Sequence, residues 1–116
     1  MKEIVLIIRP ESLETLKEIL DEVHCGGMTV TSAMGCGAQK GFAGAGGREV
    51  QGFKVNVNLL PKIQASAVVP DDKVEPIITE VRERMAHGQV GDGKVFIRPV
   101  DDAVRLRTGE RGDAAL

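Results

Sequence analysis

Two apolar stretches of this chain each run straight into a proline. Glu3 to Arg9 (EIVLIIR) precedes Pro10, and Ile63 to Val69 (IQASAVV) precedes Pro70. Proline suits the first turn of a helix, so each junction reads as a strand handing over to a helix. In the first helix Ser12 is a candidate N-cap. Leu13, Leu16, Leu20 and Val23 recur at helical spacing, and Gly26-Gly27 is expected to end the segment. In the second, Asp72 as N-cap and Glu75 three residues later form a capping box. Pro76 still falls in the first turn, Val74, Ile77, Ile78, Val81 and Met85 make the apolar stripe, and Gly88 is expected to close the helix. A strand-like segment follows each helix, Met28 to Met34 and Lys94 to Val100. The order strand–helix–strand, long loop, strand–helix–strand predicts an α+β fold. It is the ferredoxin-like double split βαβ, an antiparallel sheet with two helices on one face. The near-continuous apolar run of the first strand suits a strand covered on both faces, so oligomerisation is expected to bury the other sheet face.

The two halves are joined by a glycine-rich excursion. Seven of the fourteen glycines fall between Gly35 and Gly52, far more chain than a hairpin connection needs. We read residues 1–116 as one domain, with a flexible effector loop over 37–59 and a C-terminal tail over 101–116. A chain of 116 residues buries a modest core, so a bound nucleotide or a partner subunit would add to its stability. With no Trp or Tyr and only three Phe, that core must come from Ile, Val and Leu. A net charge of −2 with mixed signs gives no basic stripe, and nucleic acid is not an expected partner. No segment approaches the roughly 18 apolar residues of a membrane helix, so direct membrane insertion is not expected. The opening MKEIVLIIRPES is too short for a signal peptide, which makes the cytoplasm the expected location. Cys25 and Cys36 match no CxxC or zinc spacing and read as small buried or half-buried thiols of a reducing compartment. The alternative is a trimeric metal- or small-ligand-binding protein of the same fold, with His24, Cys25 and Cys36 as candidate ligands. A stable metal site needs more converging ligands than these.

Enzyme signatures are absent. There is no P-loop, and from Gly35 onwards Lys40 stands where a dinucleotide fingerprint has its last glycine. No base is positioned to activate water, so the expectation is a non-enzyme with at most incidental ATP hydrolysis. Three features instead suggest anion binding. In Gly91-Asp92-Gly93-Lys94 two glycines let the backbone approach a ligand and a lysine adds charge, although an Asp-Gly turn before a strand needs no ligand. In Arg105-Leu106-Arg107 an extended backbone would put both guanidinium groups on one face, or they are simply two exposed arginines. In Gly35-Cys36-Gly37-Ala38-Gln39-Lys40-Gly41 the backbone could wrap closely around a small anion. Each signal is weak alone; together, on this fold pattern, they reinforce one another.

These segments make the chain resemble the PII family of nitrogen signal-transduction proteins. The resemblance is carried by Met28-Thr29-Val30-Thr31, Gly35-x-Gly37-x-Gln39-Lys40-Gly41, Leu60-Pro61-Lys62, Val68-Val69-Pro70-Asp71-Asp72, Gly91-Asp92-Gly93-Lys94-Val95-Phe96 and Arg105-x-Arg107-Thr108-Gly109-Glu110. It implies a compact homotrimer that binds ATP or ADP competitively in the clefts between neighbours. By resemblance the nucleotide site would use Ile7, Thr29, Gly35, Cys36, Gly37, Ala38, Val68, Gly91, Asp92, Gly93 and Lys94, with Arg105 and Arg107 reaching the phosphates. It also implies 2-oxoglutarate binding with Mg²⁺-ATP, through Gly37, Gln39, Lys40, Gly41 and Lys62, where Gln39 would ligate the metal and Lys62 would pair with a carboxylate. The implied partner is a target protein such as an ammonium transporter or a nitrogen-metabolism enzyme, met by the loop through Arg48, Gln51, Phe53, Lys54 and Val55. The chain departs from the family at the tip. Val55 stands where many members carry a modifiable tyrosine, Gln51 stands at the channel-plugging arginine, and the loop is lengthened. Ala38, Ser66 and His87 replace a common arginine, glutamate and threonine.

Overall fold

The computed structural model describes residues 1–36 and 59–116, together with the backbone of 48–50 and 53–55. In chain order the elements are β1 (Lys2–Ile8), α1 (Leu13–Glu22), β2 (Thr29–Gly35), β3 (Arg48–Val50), β4 (Phe53–Val55), β5 (Leu60–Val69), α2 (Val74–Met85) and β6 (Gly93–Pro99). Short 3-10 turns, Pro10–Ser12 and Asp71–Lys73, lead into the helices, and a third covers Gly112–Ala115. Among the described residues, four strands form an antiparallel sheet in the order β2-β5-β1-β6. The two strands that start the half-motifs are thus the central pair, and the α+β ferredoxin-like arrangement expected from the sequence is found. β3 and β4 make a separate two-stranded ladder, pairing Arg48 with Val55 and Val50 with Phe53. No strand was expected there, because the glycine-rich surroundings mask a ladder this short.

Alternation along the strands decides which face the helices cover. Ile4, Leu6 and Ile8 of β1 and Ala65, Ala67 and Val69 of β5 are buried against Leu16, Ile19 and Leu20 of α1 and Val74, Ile77, Val81 and Met85 of α2. Each of the larger aliphatic side chains stabilises the fold by about 1.5–3 kcal/mol on leaving water. Arg84 of α2 links the helices at their rim, 3.0 Å from Glu18 and 2.8 Å from Glu22 of α1. The face away from the helices carries the cross-strand rows Thr29–Ser66–Val5–Phe96 and Thr31–Gln64–Ile7–Lys94. Here Val5 is only 4% exposed, whereas Phe96 is 47% exposed.

Ser12 stands at the N-cap position of α1 as expected, and Lys73 rather than Asp72 at that of α2, but neither caps with its side chain, for one reason. The proline-led 3-10 turn already puts the residue before each helix in helical backbone, Ser12 at φ −88°, ψ −6° and Lys73 at φ −91°, ψ −11°. An N-cap side chain needs extended backbone to fold back on the first turn, and neither residue makes such a bond. Ser12 is buried instead, and the cap residue of α2 is Lys73 rather than Asp72. Neighbouring Asp71 meets the α-amino group of Met1 at 3.0 Å and the Lys2 ammonium at 3.6 Å. The α-amino group, then Lys2, hold its carboxyl below the usual carboxylate range.

The helix ends also differ from expectation. α1 stops at Glu22, and His24, not Gly26, takes the left-handed position at φ 57°. The N–H of His24 donates to the Asp21 carbonyl at 3.0 Å and that of Cys25 to the Leu20 carbonyl at 2.8 Å, the paired bonds of a Schellman cap. The Lys73 ammonium donates to the His24 carbonyl at 2.9 Å and holds the turn from α2's side. α2 stops at Met85, where Ala86 turns extended at ψ 119°; Gly88, at φ 74°, belongs to the turn that follows. We predict that His24→Gly, which relieves the side-chain crowding of the left-handed backbone, stabilises the protein by about 0.5–1 kcal/mol. Urea unfolding checks this; a destabilised variant would show that the His24 side chain contributes more than its backbone costs.

Candidate functional site

The turn between α2 and β6 is built by its glycines and one carboxylate. Gly88, Gly91 and Gly93 sit at φ 74°, 97° and 122°. At Gly93 the requirement is absolute, because a Cβ there would lie 2.3 Å from the carbonyl oxygen of Ile7 in β1. Asp92 closes the turn from inside, with Oδ2 accepting from the backbone N–H of His87 at 2.7 Å and of Gln89 at 3.2 Å. The His87 N–H, helped by that of Gln89 and by Arg9, holds the Asp92 carboxyl below the usual carboxylate range against partial desolvation. Asp92 is thus a buttress of the turn, and it does not line the groove described next. From the far side Arg9, one residue past β1, donates through Nε to the Gly91 carbonyl at 3.0 Å and through Nη2 to the Val90 carbonyl at 2.8 Å.

This turn forms one wall of a groove of about 290 Å³ on the sheet face that the helices leave open. Ile7, Leu60, Val90 and Phe96 give it apolar surface, Gly35 and Cys36 form the opposite rim, and Gly91, Gly93, Lys62 and Lys94 complete it. The Lys62 ammonium spans the groove to the Gly91 carbonyl at 3.3 Å, and a side chain on Gly35 would crowd the Lys62 stem at 3.2 Å. Among the described residues two lysines and no carboxylate line the groove, so its chemistry suits an anion that also carries an apolar plane. Seven of the residues singled out from the sequence are brought together here: Ile7, Gly35, Cys36, Lys62, Gly91, Gly93 and Lys94. Cys36 is exposed at the rim, not the buried or half-buried thiol expected; Cys25 is half-buried, its thiol 3.4 Å from the Gly27 carbonyl. Among the described residues no group of three or more His, Cys, Asp or Glu side chains could hold a metal ion.

The other predicted residues are elsewhere. Val68 pairs with Glu3 near the far end of the sheet, and Thr29 pairs with Ser66 on the outer strand. Arg105 and Arg107 lie in a tail that starts where β6 ends, with the Val100 N–H donating to the Met1 carbonyl at 3.2 Å. Asp113 of that tail flanks the same hollow as Met1, Pro70 and Asp72. The groove and the tail thus sit at opposite ends of β1, separated by six residue steps from Lys2 to Ile8, or about 20 Å of strand. The segment 105–107 is also not extended. A turn over 106–108 is closed by the Gly109 N–H donating to the Arg105 carbonyl at 2.8 Å, with Gly109 at φ 74°. Sequence spacing could not show this, because the turn depends on the Arg105 N–H bonding to the Glu110 carbonyl at 2.9 Å. Gly37, Ala38, Gln39, Lys40, Gly41 and Gln51, and the side chains of Arg48, Phe53, Lys54 and Val55, lie outside the described residues. Sequence reasoning missed Arg9, Val90 and Phe96 as site residues, while Leu60, beside Lys62 in its motif, does line the groove. A cation directly after a strand that borders the glycine turn was the available signal for Arg9.

Comparison with known proteins bears on the family of the chain. The profile of the family described as Nitrogen regulatory protein P-II matches residues 1–110. Nitrogen regulatory protein P-II 2 of Methanothermobacter thermautotrophicus is 43% identical over 116 residues, covering all of this chain and 97% of that protein. Nitrogen regulatory protein P-II of Bradyrhizobium diazoefficiens is 43% identical and nitrogen regulatory protein GlnK of Escherichia coli (strain K12) is 37% identical, each over the full length of both chains.

Two outcomes test the construction of the turn. Gly93→Ala, forced against the Ile7 carbonyl at a φ that side chains avoid, is expected to destabilise the protein by about 2–4 kcal/mol in urea unfolding; a loss under about 0.5 kcal/mol would contradict the geometry. For Asp92 the folded carboxyl titrates below the unfolded one. Its stabilisation is complete above the ordinary aspartate value of about 4 and is lost as pH falls through the lower folded value. The difference in urea-unfolding free energy between the unaltered protein and Asp92→Asn should therefore hold constant from neutral pH down to about 5 and shrink only below about 4. A midpoint of that loss above about 4 would sink the assignment.

Proposed function

The chain belongs to the nitrogen regulatory protein P-II family, and from that premise we propose a cytoplasmic sensor that binds adenine nucleotides between the subunits of a homotrimer. It is a regulatory protein and not an enzyme. ATP and ADP compete for the groove, 2-oxoglutarate joins Mg²⁺-ATP there, and the 37–59 loop reports the bound state to a target such as an ammonium transporter or a nitrogen-metabolism enzyme. The observation that carries this reading is the division of the predicted anion-binding groups between two ends of one subunit. The groove holds the glycine turn and two lysines, while the tail that carries Arg105 and Arg107 leaves the sheet at the other end of β1, about 20 Å of strand away. Two copies would bring both sets onto one polyphosphate if the open face of one sheet meets the tail of the next.

The groove fits half of such a site. Its volume of about 290 Å³ is at the low end for a small-molecule pocket, as expected when a neighbour supplies the remaining wall. Ile7, Val90 and Phe96 offer a surface for a base, and Lys62 and Lys94 oppose phosphate or carboxylate charge with no competing acid among the described residues. Gln39 is the candidate residue to hold Mg²⁺, whose charge would offset that of the phosphates and the oxoacid. Lys62, already across the groove mouth, would face the oxoacid carboxylate. Arg48, Gln51, Phe53, Lys54 and Val55 would meet the target. A ligand that contacts the loop base differently in two loop states shifts their populations, which is how sensing becomes signalling.

Titration calorimetry with ATP and ADP tests the reading. We expect saturable binding of both in competition, and Arg107→Ala and Lys94→Ala each weakening ATP by about tenfold, from the loss of a charge-assisted contact. No saturable nucleotide binding by the unaltered protein would overturn it.

A further inference from the structure

We propose that Glu110 is a positioning residue that sets Arg105, and the turn carrying Arg107, for the nucleotide phosphates; this rests on the nucleotide reading above. One carboxylate oxygen, Glu110 Oε1, accepts from Arg105 Nη1 at 3.1 Å and from the Thr108 hydroxyl at 2.8 Å. The same hydroxyl accepts from the Glu110 backbone N–H at 3.2 Å. Arg105 Nη2 is fixed separately, donating to the Leu116 carbonyl at 2.8 Å. Backbone bonds between Arg105 and Glu110 and between Gly109 and Arg105 close the ring. The turn is short and surface-exposed, with Leu106 at its tip 97% exposed, so no packing core holds its shape. The hydrogen-bond ring centred on Glu110 holds it instead.

Arginine offers more donors than these two contacts use, so Arg105 is held in one orientation and still has N–H groups for an anion. Arg107, exposed, makes no ion pair among the described residues and rides on the same turn. An arginine ordered before binding loses less side-chain entropy when the anion arrives. Charge acts in the opposite direction, since a carboxylate beside Arg105 repels phosphate. The two effects therefore predict opposite signs for removal of Glu110, and that makes the role testable.

Full-length protein is altered to Glu110→Ala and Glu110→Gln and titrated with ATP, ADP and adenosine, with thermal melts in parallel. We expect Glu110→Ala to weaken ATP and ADP by about fivefold to tenfold and to leave adenosine unchanged, because only the phosphates meet the turn. Glu110→Gln keeps an oxygen that can accept from Thr108 and Arg105, and is expected to recover most of that loss. Tighter ATP binding in both variants would show that Glu110 acts only through its charge, and would overturn the proposal. Equal weakening of all three ligands with a lowered melting temperature would also overturn it, by reducing Glu110 to a stability role. No ATP binding by the unaltered protein would bring down the nucleotide reading itself, a result distinguishable from either of these.

Discussion

The close approach of Gly93 to the carbonyl oxygen of Ile7 is the constraint on which the rest of the site depends. It is the point where β6 joins β1, and a Cβ at that position would lie 2.3 Å from the oxygen. Because the backbone can come so near, the preceding turn folds onto the end of the sheet and brings Gly91 within reach of both Arg9 and Lys62. Asp92 then fastens the turn from within through the N–H groups of His87 and Gln89. Three distant segments, the end of β1, the start of β5 and the turn before β6, are thereby held together around one carbonyl. The groove is the space they enclose.

That groove lies on the sheet face without helices, so on the proposed reading oligomeric state and ligand binding are linked. Val5 at the centre of this face is nearly fully buried within one subunit, while Phe96 beside it is half exposed. A partner seated on this face would cover apolar surface and bring its own tail towards the groove. The nucleotide and the assembly would then stabilise one another by mass action. On this account the C-terminal arginines belong functionally to the neighbouring subunit's groove.

Much of the fold was legible in the sequence, since apolar strands ending at Pro10 and Pro70 and stripes of period near four residues fix the elements and their order. The helix ends were less so. Ser12 and Asp72 have the right chemistry for caps, but each proline starts a 3-10 turn that carries helical backbone past the cap position. His24 took the left-handed place that Gly26 advertises, because the bonds from Cys25 to Leu20 and from Lys73 to His24 outweigh the side-chain penalty. At the site, glycines before a strand and paired cations were readable as chemistry. Arg9 was not, because its role depends on a turn more than eighty residues away. The conformation of 105–110 was likewise hidden, since a ring of bonds around Glu110 turns a segment whose alternating charges suggest extension.

The central claim is that two subunits share one site, and mixed assemblies test it most directly. Chains carrying Lys94→Ala and chains carrying Arg107→Ala are prepared separately, and also co-expressed, and ATP binding is measured by calorimetry on each. The account predicts weak binding for either variant alone and a fraction of sites with unaltered affinity in the mixed protein, where an intact groove meets an intact tail. Mixed assemblies with no sites of unaltered affinity would contradict it, because both groups would then have to act within a single chain.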